Sequence, residues 1–453
     1  MSFSIIILAA GKGSRMKSAM TKVMHTLASK PLLKHVVDTA QTLNPNKITV
    51  VCGNGADQVL PLLAKHTITH AMQPEQKGTG HAVMQATEAF DNVQQVLVLY
   101  GDVPLIQAET LQKLLDCGDE LSLNILTTEL EEPTGYGRIV RNDKGDVACI
   151  TEQKDADKSV QKIKEVNSGI MVLPAKWAKE SLSKLGCDNA QGEYYLTDIV
   201  ALAVKDGIVI NSVCCHDEKE VAGVNTRQQL AELERHFQKR QAEELMVSGV
   251  SLADPNRFDL RGQLTTGTDV FIDVNVIIEG SVSLADNVHI GSNCIIKNAS
   301  IGAGTRILPS SMIDSSTVGS HVNIGPFARL RPGSFIADQA KIGNFVETKN
   351  VIIGEGSKVN HLSYIGDTTM GKHVNVGAGA ITCNYDGANK HRTIIGDNVF
   401  IGSDSQLIAP ITVASGATIG AGTTLRKDAP QDQLTLTKSI QKTVDGWKRP
   451  LKK

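Results

Sequence analysis

The stretch IIGDNVFIGSDSQLIAPITVASGATIGAGTTL, residues 394–425, decides the fold of the C-terminal half. Within it Ile395, Ile401, Leu407, Val413, Ile419 and Leu425 stand six residues apart. A helix repeats at about 3.6 residues and a strand alternates by about two, so neither explains that period. Small residues follow several of these aliphatics, as in Ile401-Gly402 and Ile419-Gly420. The same spacing continues upstream through Ile324, Leu330, Ile336 and Ile342, through Ile301, Ile307 and Ile313, and through Val270, Val276, Val282 and Val288. A left-handed parallel β-helix of hexapeptide repeats gives this pattern: each aliphatic fills the same interior rung and a small residue turns the corner. The register breaks around Thr348, Met370 and Asn384–Thr393. Each break predicts an extra loop on one face, where function tends to collect. After Asp428 the repeat is lost, and the basic end from Trp447 to Lys453 is expected on the surface.

Upstream of the repeats, Leu230, Leu233, Phe237, Ala242 and Leu245 recur among many charges. Their spacing predicts one long amphipathic helix over 226–247, a strut between domains, closed by Asp254-Pro255. Residues 1–225 read differently. Short apolar runs at Ile5–Leu8, Ile48–Val51 and Val96–Tyr100 alternate with helical patterns. That alternation predicts an α/β, Rossmann-like domain with a parallel sheet wrapped by helices. The domains expected are therefore 1–225, the helical linker 226–247 and the repeat domain 248–453.

Bulk properties narrow the partners. The 453 residues carry a formal net charge of −2, with 46 Lys plus Arg against 48 Asp plus Glu. No global field draws in nucleic acid or an anionic membrane, so any phosphate site must be local. No apolar run reaches transmembrane length. The run from Ile5 to Ala10 is too short for a signal peptide and has no basic leader. None of the eight cysteines has Cys-x-x-Cys spacing, so reduced thiols in a cytoplasmic protein are expected. His66 and His70 have helical i, i+4 spacing, but no third ligand accompanies them and they are not read as a metal site.

The first strand runs into Leu8-Ala9-Ala10-Gly11-Lys12-Gly13-Ser14-Arg15-Met16, with Lys22 beyond. Glycines here let backbone N–H groups approach phosphate oxygens, although a Gly-x-Gly alone is as readily a tight turn. Met16 breaks the dinucleotide fingerprint, and no Walker A motif is present. In Tyr100-Gly101-Asp102 an aspartate follows the carboxyl end of an apolar strand, where open α/β sheets bind ligands. One carboxylate with substrate phosphates is a usual Mg²⁺ arrangement, and an isolated Asp there is otherwise a turn former.

Together with Gln73, Gly78-Thr79-Gly80-His81-Ala82, Gly135-Tyr136-Gly137-Arg138, Glu152, Asn167 and Asn225, these residues resemble the sugar-phosphate nucleotidyltransferase family. Thr21 departs from the pattern, since the family places Pro before the lysine. The resemblance implies that Leu8, Ala9, Ala10, Gly11 and Gln73 contact the uridine side, with nucleobase contacts from Gly78 and Thr79. It implies that Tyr100, Gly137, Glu152 and Asn167 surround the sugar, that Gly101 is a further contact to the UDP-sugar, that Asp102 and Asn225 hold Mg²⁺, and that Arg15 and Lys22 lie against the phosphates. The implied reaction is in-line attack of a sugar-1-phosphate oxygen on the α-phosphorus of UTP, with no protein nucleophile.

Among the repeats, Arg329, Arg331 and Lys349 bring cations onto successive coils, which suits a sugar phosphate, although each alone reads as solvated surface charge. His361, in Val359-Asn360-His361-Leu362-Ser363-Tyr364, is one of twelve histidines. A histidine near its ordinary pKa can take a proton from an amino sugar's ammonium, so the free amine can attack a thioester. With Gly325–Gly333, Gly343–Glu347 and Asn375–Gly387, the whole chain resembles the family of bacterial bifunctional N-acetylglucosamine-1-phosphate uridyltransferase/glucosamine-1-phosphate acetyltransferases. The resemblance makes His361 the general base of acetyl transfer. It places Arg331 and Lys349 on the sugar phosphate, Tyr364 and Asn375 on the sugar, and Ala378, Asn384, Tyr385, Ser403, Ala421 and Lys438 on acetyl-CoA. Lys438 stands where the family tends to have Arg. A homotrimer with acyl sites between neighbours is implied. Cys294 and Cys383 are expected to be inert, because direct transfer from thioester to amine needs no acyl-carrying thiol. Two rivals remain: a pyrophosphorylase for adenylyl or guanylyl transfer with a regulatory solenoid, and a non-catalytic scaffold.

Overall fold

The structure, a computed structural model, describes residues 2–64, 68–438 and 440–450. His66 and the last three residues of the basic tail therefore lie outside the described residues. Two compact units make up the chain, Met1–Phe237 and Gln238–Lys453.

The first unit is built on nine strands: β1 Phe3–Leu8, β2 Lys47–Cys52, β3 Thr69–Met72, β4 Gln95–Tyr100, β5 Leu123–Glu129, β6 Arg138–Arg141, β7 Val147–Thr151, β8 Glu165–Pro174 and β9 Ile210–Cys215. Their main order is β9-β5-β8-β4-β1-β2-β3, with β6 pairing β8 and β7. The strands β1, β2, β3 and β4 are parallel, as the α/β alternation predicts. However, β8 runs antiparallel to both β4 and β5, so the sheet is mixed rather than parallel. Between β5 and β8 in the chain, β6 and β7 form an antiparallel pair. Near-continuous apolar runs such as Ile5–Ile7 and Val96–Leu99 are buried on both faces, as helix-covered strands require.

The long helix covers Arg227–Val247. Leu230, Leu233 and Phe237 pack with Met16, Leu27 and Leu32 in the first unit. Ala242 and Leu245 belong to the core of the second. The boundary between the units thus falls inside the helix. The helix stops at Val247, before Asp254-Pro255, and Gly249 takes a positive φ of 103° just beyond it.

The second unit is a parallel β-helix. Every six-residue aliphatic named above is buried in one continuous core. Of the three register breaks, only Asn384–Thr393 is an extruded loop, closed by a bridge between Tyr385 and Lys390. Thr348 and Met370 lie buried inside the longer strands Glu347–Ile353 and Tyr364–Met370. There the coil absorbs the extra residues as added strand length. Ser334 Oγ pairs with Thr348 Oγ1 at 2.9 Å, so the buried hydroxyl is not left without a partner.

Candidate functional site

In the first unit, Leu8 at the end of β1 is the register partner of Tyr100 at the end of β4. The loops following both strands therefore open on the same sheet edge, at the point where the strand order reverses. The turn after β1 needs glycine: Gly13 has φ 61°, and a Cβ on it would lie 2.6 Å from Lys22 Cβ. That close approach brings Lys22 inward.

Lys22 Nζ lies 2.5 Å from Asp102 Oδ2 and 3.1 Å from Asn225 Oδ1. Arg15 Nη2 donates to the same Asn225 oxygen at 2.9 Å. Four residues from distant segments thus converge, and Asn225 is itself fixed through its backbone N–H to Gln229 Oε1 at 2.8 Å. Thr21 adopts φ −62° and ψ 146°, a backbone proline would impose, but its N–H donates to Gln58 Oε1 at 2.9 Å. A hydrogen bond there replaces the stiffness of a ring.

Leu8, Ala9, Ala10, Gly11, Lys22, Gln73, Gly78, Thr79, Tyr100 and Asp102 line one cavity of about 310 Å³. A second cavity of about 220 Å³ shares Tyr100 and Asp102 and adds Arg15, Tyr136 and Asn225. Nearby, Thr197 Oγ1 donates to Glu152 Oε1 at 3.0 Å, and Asn167 N–H donates to the Gly137 carbonyl at 2.9 Å. Burial pushes Glu152 above the usual carboxylate range, with Asp198 and Asp155 adding to the rise against the Thr197 bond. Burial likewise raises the Tyr100 phenol, helped by Glu152 and Asp102. Sequence reasoning missed Gln76 and Glu193, which also line the first cavity. Neither lies in a recognisable motif.

In the second unit the coil register does the gathering. Val359 pairs with Val376, Val376 with Ile401, and Ile401 with Ile419. Two residues after each stand His361, Ala378, Ser403 and Ala421, one beneath another on successive coils. Asn344 heads the column as the register partner of His361. Its Oδ1 lies 2.9 Å from His361 Nδ1. An amide oxygen accepts, so Nδ1 carries the proton and Nε2 keeps a free lone pair.

Three residues on, Tyr364 opens the next strand, paired with Glu347. Beside it Lys349 pairs with Gly366, and Arg331 Nη1 lies 2.8 Å from Glu347 Oε1. Lys390, which sequence reasoning did not single out, reaches back from the extruded loop to Lys349. A side-chain hydrogen bond with Lys390, then its charge, desolvation and the charge of Arg331, push the Lys349 ammonium below its ordinary range. The signal was the break at Asn384–Thr393, which placed a loop there without naming its cation. Asp367 lies among these cations. Its burial favours the neutral acid, but the Asn350 and Asn384 amides, then Lys349 and Lys390, hold it below the usual carboxylate range.

Tyr385 is exposed on the loop. Asn375 and Lys438 make no side-chain hydrogen bond to this cluster among the described residues, and Lys438 lies exposed beyond the strand Leu434–Thr435. Cys294 is buried, which pushes its thiol up to about 11, and burial raises Cys383 as well. No group of three or more His, Cys, Asp or Glu side chains that could hold a metal occurs among the described residues. No helix among them is long and apolar enough to cross a membrane.

Comparison with known proteins matches residues 5–164 to the MobA-like NTP transferase domain, 260–346 to the GMPPB C-terminal domain, and 392–427 to the bacterial transferase hexapeptide of six repeats. The Bifunctional protein GlmU of Marinobacter nauticus is 53% identical over 99% of both chains. Those of Ralstonia nicotianae and Burkholderia multivorans are 54% and 55% identical over the same share. The chain belongs to the GlmU family. Like its GlmU relatives it is a bifunctional transferase, with a nucleotidyltransferase half and a hexapeptide acyltransferase half.

Proposed function

We propose that this enzyme makes UDP-N-acetylglucosamine in two steps, for peptidoglycan and lipopolysaccharide synthesis. The β-helix unit acetylates glucosamine-1-phosphate from acetyl-CoA, and the N-terminal unit then joins the product to UTP with release of pyrophosphate. The observation that carries the reading is the orientation of His361. With Nδ1–H held by Asn344, the Nε2 lone pair is free for a substrate proton.

In the acetyl step His361 takes a proton as the substrate amine attacks the thioester carbon. The C–N bond forms, the C–S bond breaks, and the CoA sulfur leaves and regains a proton. Arg331, Lys349 and Lys390 grip the phosphate, whose dianion offsets their mutual repulsion. Tyr364 and Asn375 orient the sugar. Ala378, Ser403 and Ala421 form a narrow track for acetyl-CoA, with Asn384, Tyr385 and Lys438 as further contacts.

In the uridylyl step Leu8–Gly11, Gln73, Gly78 and Thr79 hold the nucleotide, while Tyr100, Gly101, Gly137, Glu152 and Asn167 hold the sugar. Arg15 and Lys22 face the phosphates. Asp102 and Asn225 offer one carboxylate and one amide oxygen, both turned toward a cation, the Lys22 ammonium. Such hard oxygen donors fit Mg²⁺, with the remaining ligands from phosphates and water. Bound there, Mg²⁺ would neutralise phosphate charge.

We assign three regions to the chain: 1–225 for uridylyl transfer, a helical linker over 226–247, and 248–453 for acetyl transfer. We further propose a cytoplasmic homotrimer formed through the β-helix. The exposed, stacked rings of Phe327 and Phe345, with centroids 5.3 Å apart and Leu362 exposed on a later coil, support a second copy covering this corner. Assays of UTP-dependent pyrophosphate release and of thiol release from acetyl-CoA on one preparation test the function. Absence of either activity overturns it.

A further inference from the structure

Gln73 is 3% exposed and lines the cavity proposed to take the nucleotide. Its Nε2 lies 3.2 Å from the Gly78 carbonyl oxygen and 3.0 Å from His81 Nδ1. A carbonyl oxygen can only accept, so this end of the amide is the NH₂ group. Both of its hydrogens are then spent, one on Gly78 and one on His81. The second bond requires His81 Nδ1 to carry a lone pair, which puts the ring proton on Nε2.

Gln85 competes for the opposite arrangement, because its Nε2 lies 3.2 Å from His81 Nε2. A neutral imidazole has one donor and one acceptor, so it cannot accept from both amides. Gln73 is the more deeply buried of the two, and an unmade bond costs more where water cannot replace it. Gln85 is half-buried and keeps its NH₂ on the His81 carbonyl at 3.3 Å, so its contact with the ring can be given up to water. The Gln73 bond therefore decides the tautomer.

We infer that His81 is a positioning residue for base selection: it locks the Gln73 amide so that Oε1 faces the nucleobase. Among the described residues no protein donor is hydrogen-bonded to that oxygen. A fixed acceptor takes the N3–H of uracil and repels the unprotonated N3 of cytosine. With His81 removed, only the Gly78 carbonyl still holds the NH₂ group, and the amide turns more readily to offer NH₂ to the base, which suits cytosine. The inference rests on the reading that Gln73 faces the base, and it adds how that face is chosen.

The test compares UTP with CTP in the pyrophosphate-releasing reaction of the full chain, using N-acetylglucosamine-1-phosphate as acceptor. His81→Leu removes the acceptor, whereas His81→Asn puts Oδ1 close to the place of Nδ1. The expected result is a loss of UTP preference in kcat/KM of at least about tenfold for His81→Leu, with His81→Asn staying within about threefold of the native chain. An unchanged preference in His81→Leu overturns the inference, as does equal loss in His81→Asn, which would mean that ring size rather than the Nδ1 acceptor matters. Gln73→Ala separates the two levels. If it loses the preference while His81→Leu keeps it, the lock fails and the placement of the base stands. If Gln73→Ala itself keeps the preference, the placement falls first.

Discussion

In the N-terminal unit the cations are paired within the chain: Lys22 with Asp102, and Arg15 with Asn225. In the β-helix unit Lys349 faces Lys390 and Arg331, and Asp367 and Glu347 balance them only in part. The first arrangement carries one net positive charge with each cation hydrogen-bonded inside the chain, so on the proposed function a phosphate and its metal would rearrange existing bonds. The second, of the same net charge, leaves like charges side by side, so a phosphate bound as proposed would relieve repulsion. Two units that each handle a phosphorylated sugar thus pose different electrostatic problems, and substitutions can tell them apart.

The sharpest test is the separation of the two chemistries. His361→Ala should lower acetyl transfer about 10²- to 10⁴-fold with pyrophosphate release unchanged. Asp102→Ala should do the reverse, with a loss on the order of a hundredfold or more. Loss of both activities from either single change, in folded protein, would break the comparison.

Acid sensitivity should differ as well. Burial pushes His35 down to about 4, and burial also lowers His25. Below about pH 6.5 the unfolded chain gains these protons while the folded unit does not. The first unit should therefore lose roughly 3 kcal/mol through His35 as pH falls from about 6.5 to about 4. The check is the urea midpoint, read by Trp177 fluorescence in a Trp447→Phe background. A midpoint that stays flat across this range contradicts it.

Asp367 titrates with the opposite chemistry. Its depressed pKa adds stability above the unfolded aspartate value, and that stability is lost as pH falls through the folded one. Asp367→Asn turns an amide toward the amides of Asn350 and Asn384 and should cost about 1–3 kcal/mol at pH 7. In acid the cost should shrink, as calorimetry would reveal. The smallest effect is expected from Lys390→Ala: about a tenfold rise in KM for glucosamine-1-phosphate, with kcat retained and a weaker salt dependence. A change in kcat alone would remove Lys390 from the phosphate grip.

Much of this was legible in the chain because repeats write geometry into sequence. Once the six-residue period is seen, His361, Ala378, Ser403 and Ala421 fall on one column by counting. The partners that tune them were not legible. Asn344 lies 17 residues before His361, and Asp367 meets Asn350 and Asn384 across neighbouring coils. Such pairs are one coil apart, but nothing in a polar residue's identity says which neighbour it bonds. The breaks at Thr348 and Met370 misled for a related reason: a solenoid can lengthen a strand as well as eject a loop. In the N-terminal unit the motif residues were found because glycines and strand ends mark them. The antiparallel β8 was not, because an apolar strand reads the same in either direction.

The column beneath His361 also works as a ruler. Adjacent strands of a sheet lie about 4.8 Å apart, so Ala421 stands about 14 Å along the axis from the histidine. A long, thin coenzyme laid on the track we propose would meet each wall residue at a distance set by whole coils. Excising one complete coil would leave the greasy interior stacked as before but shorten the reach by one graduation, misplacing the reactive end of the molecule relative to its anchored tail.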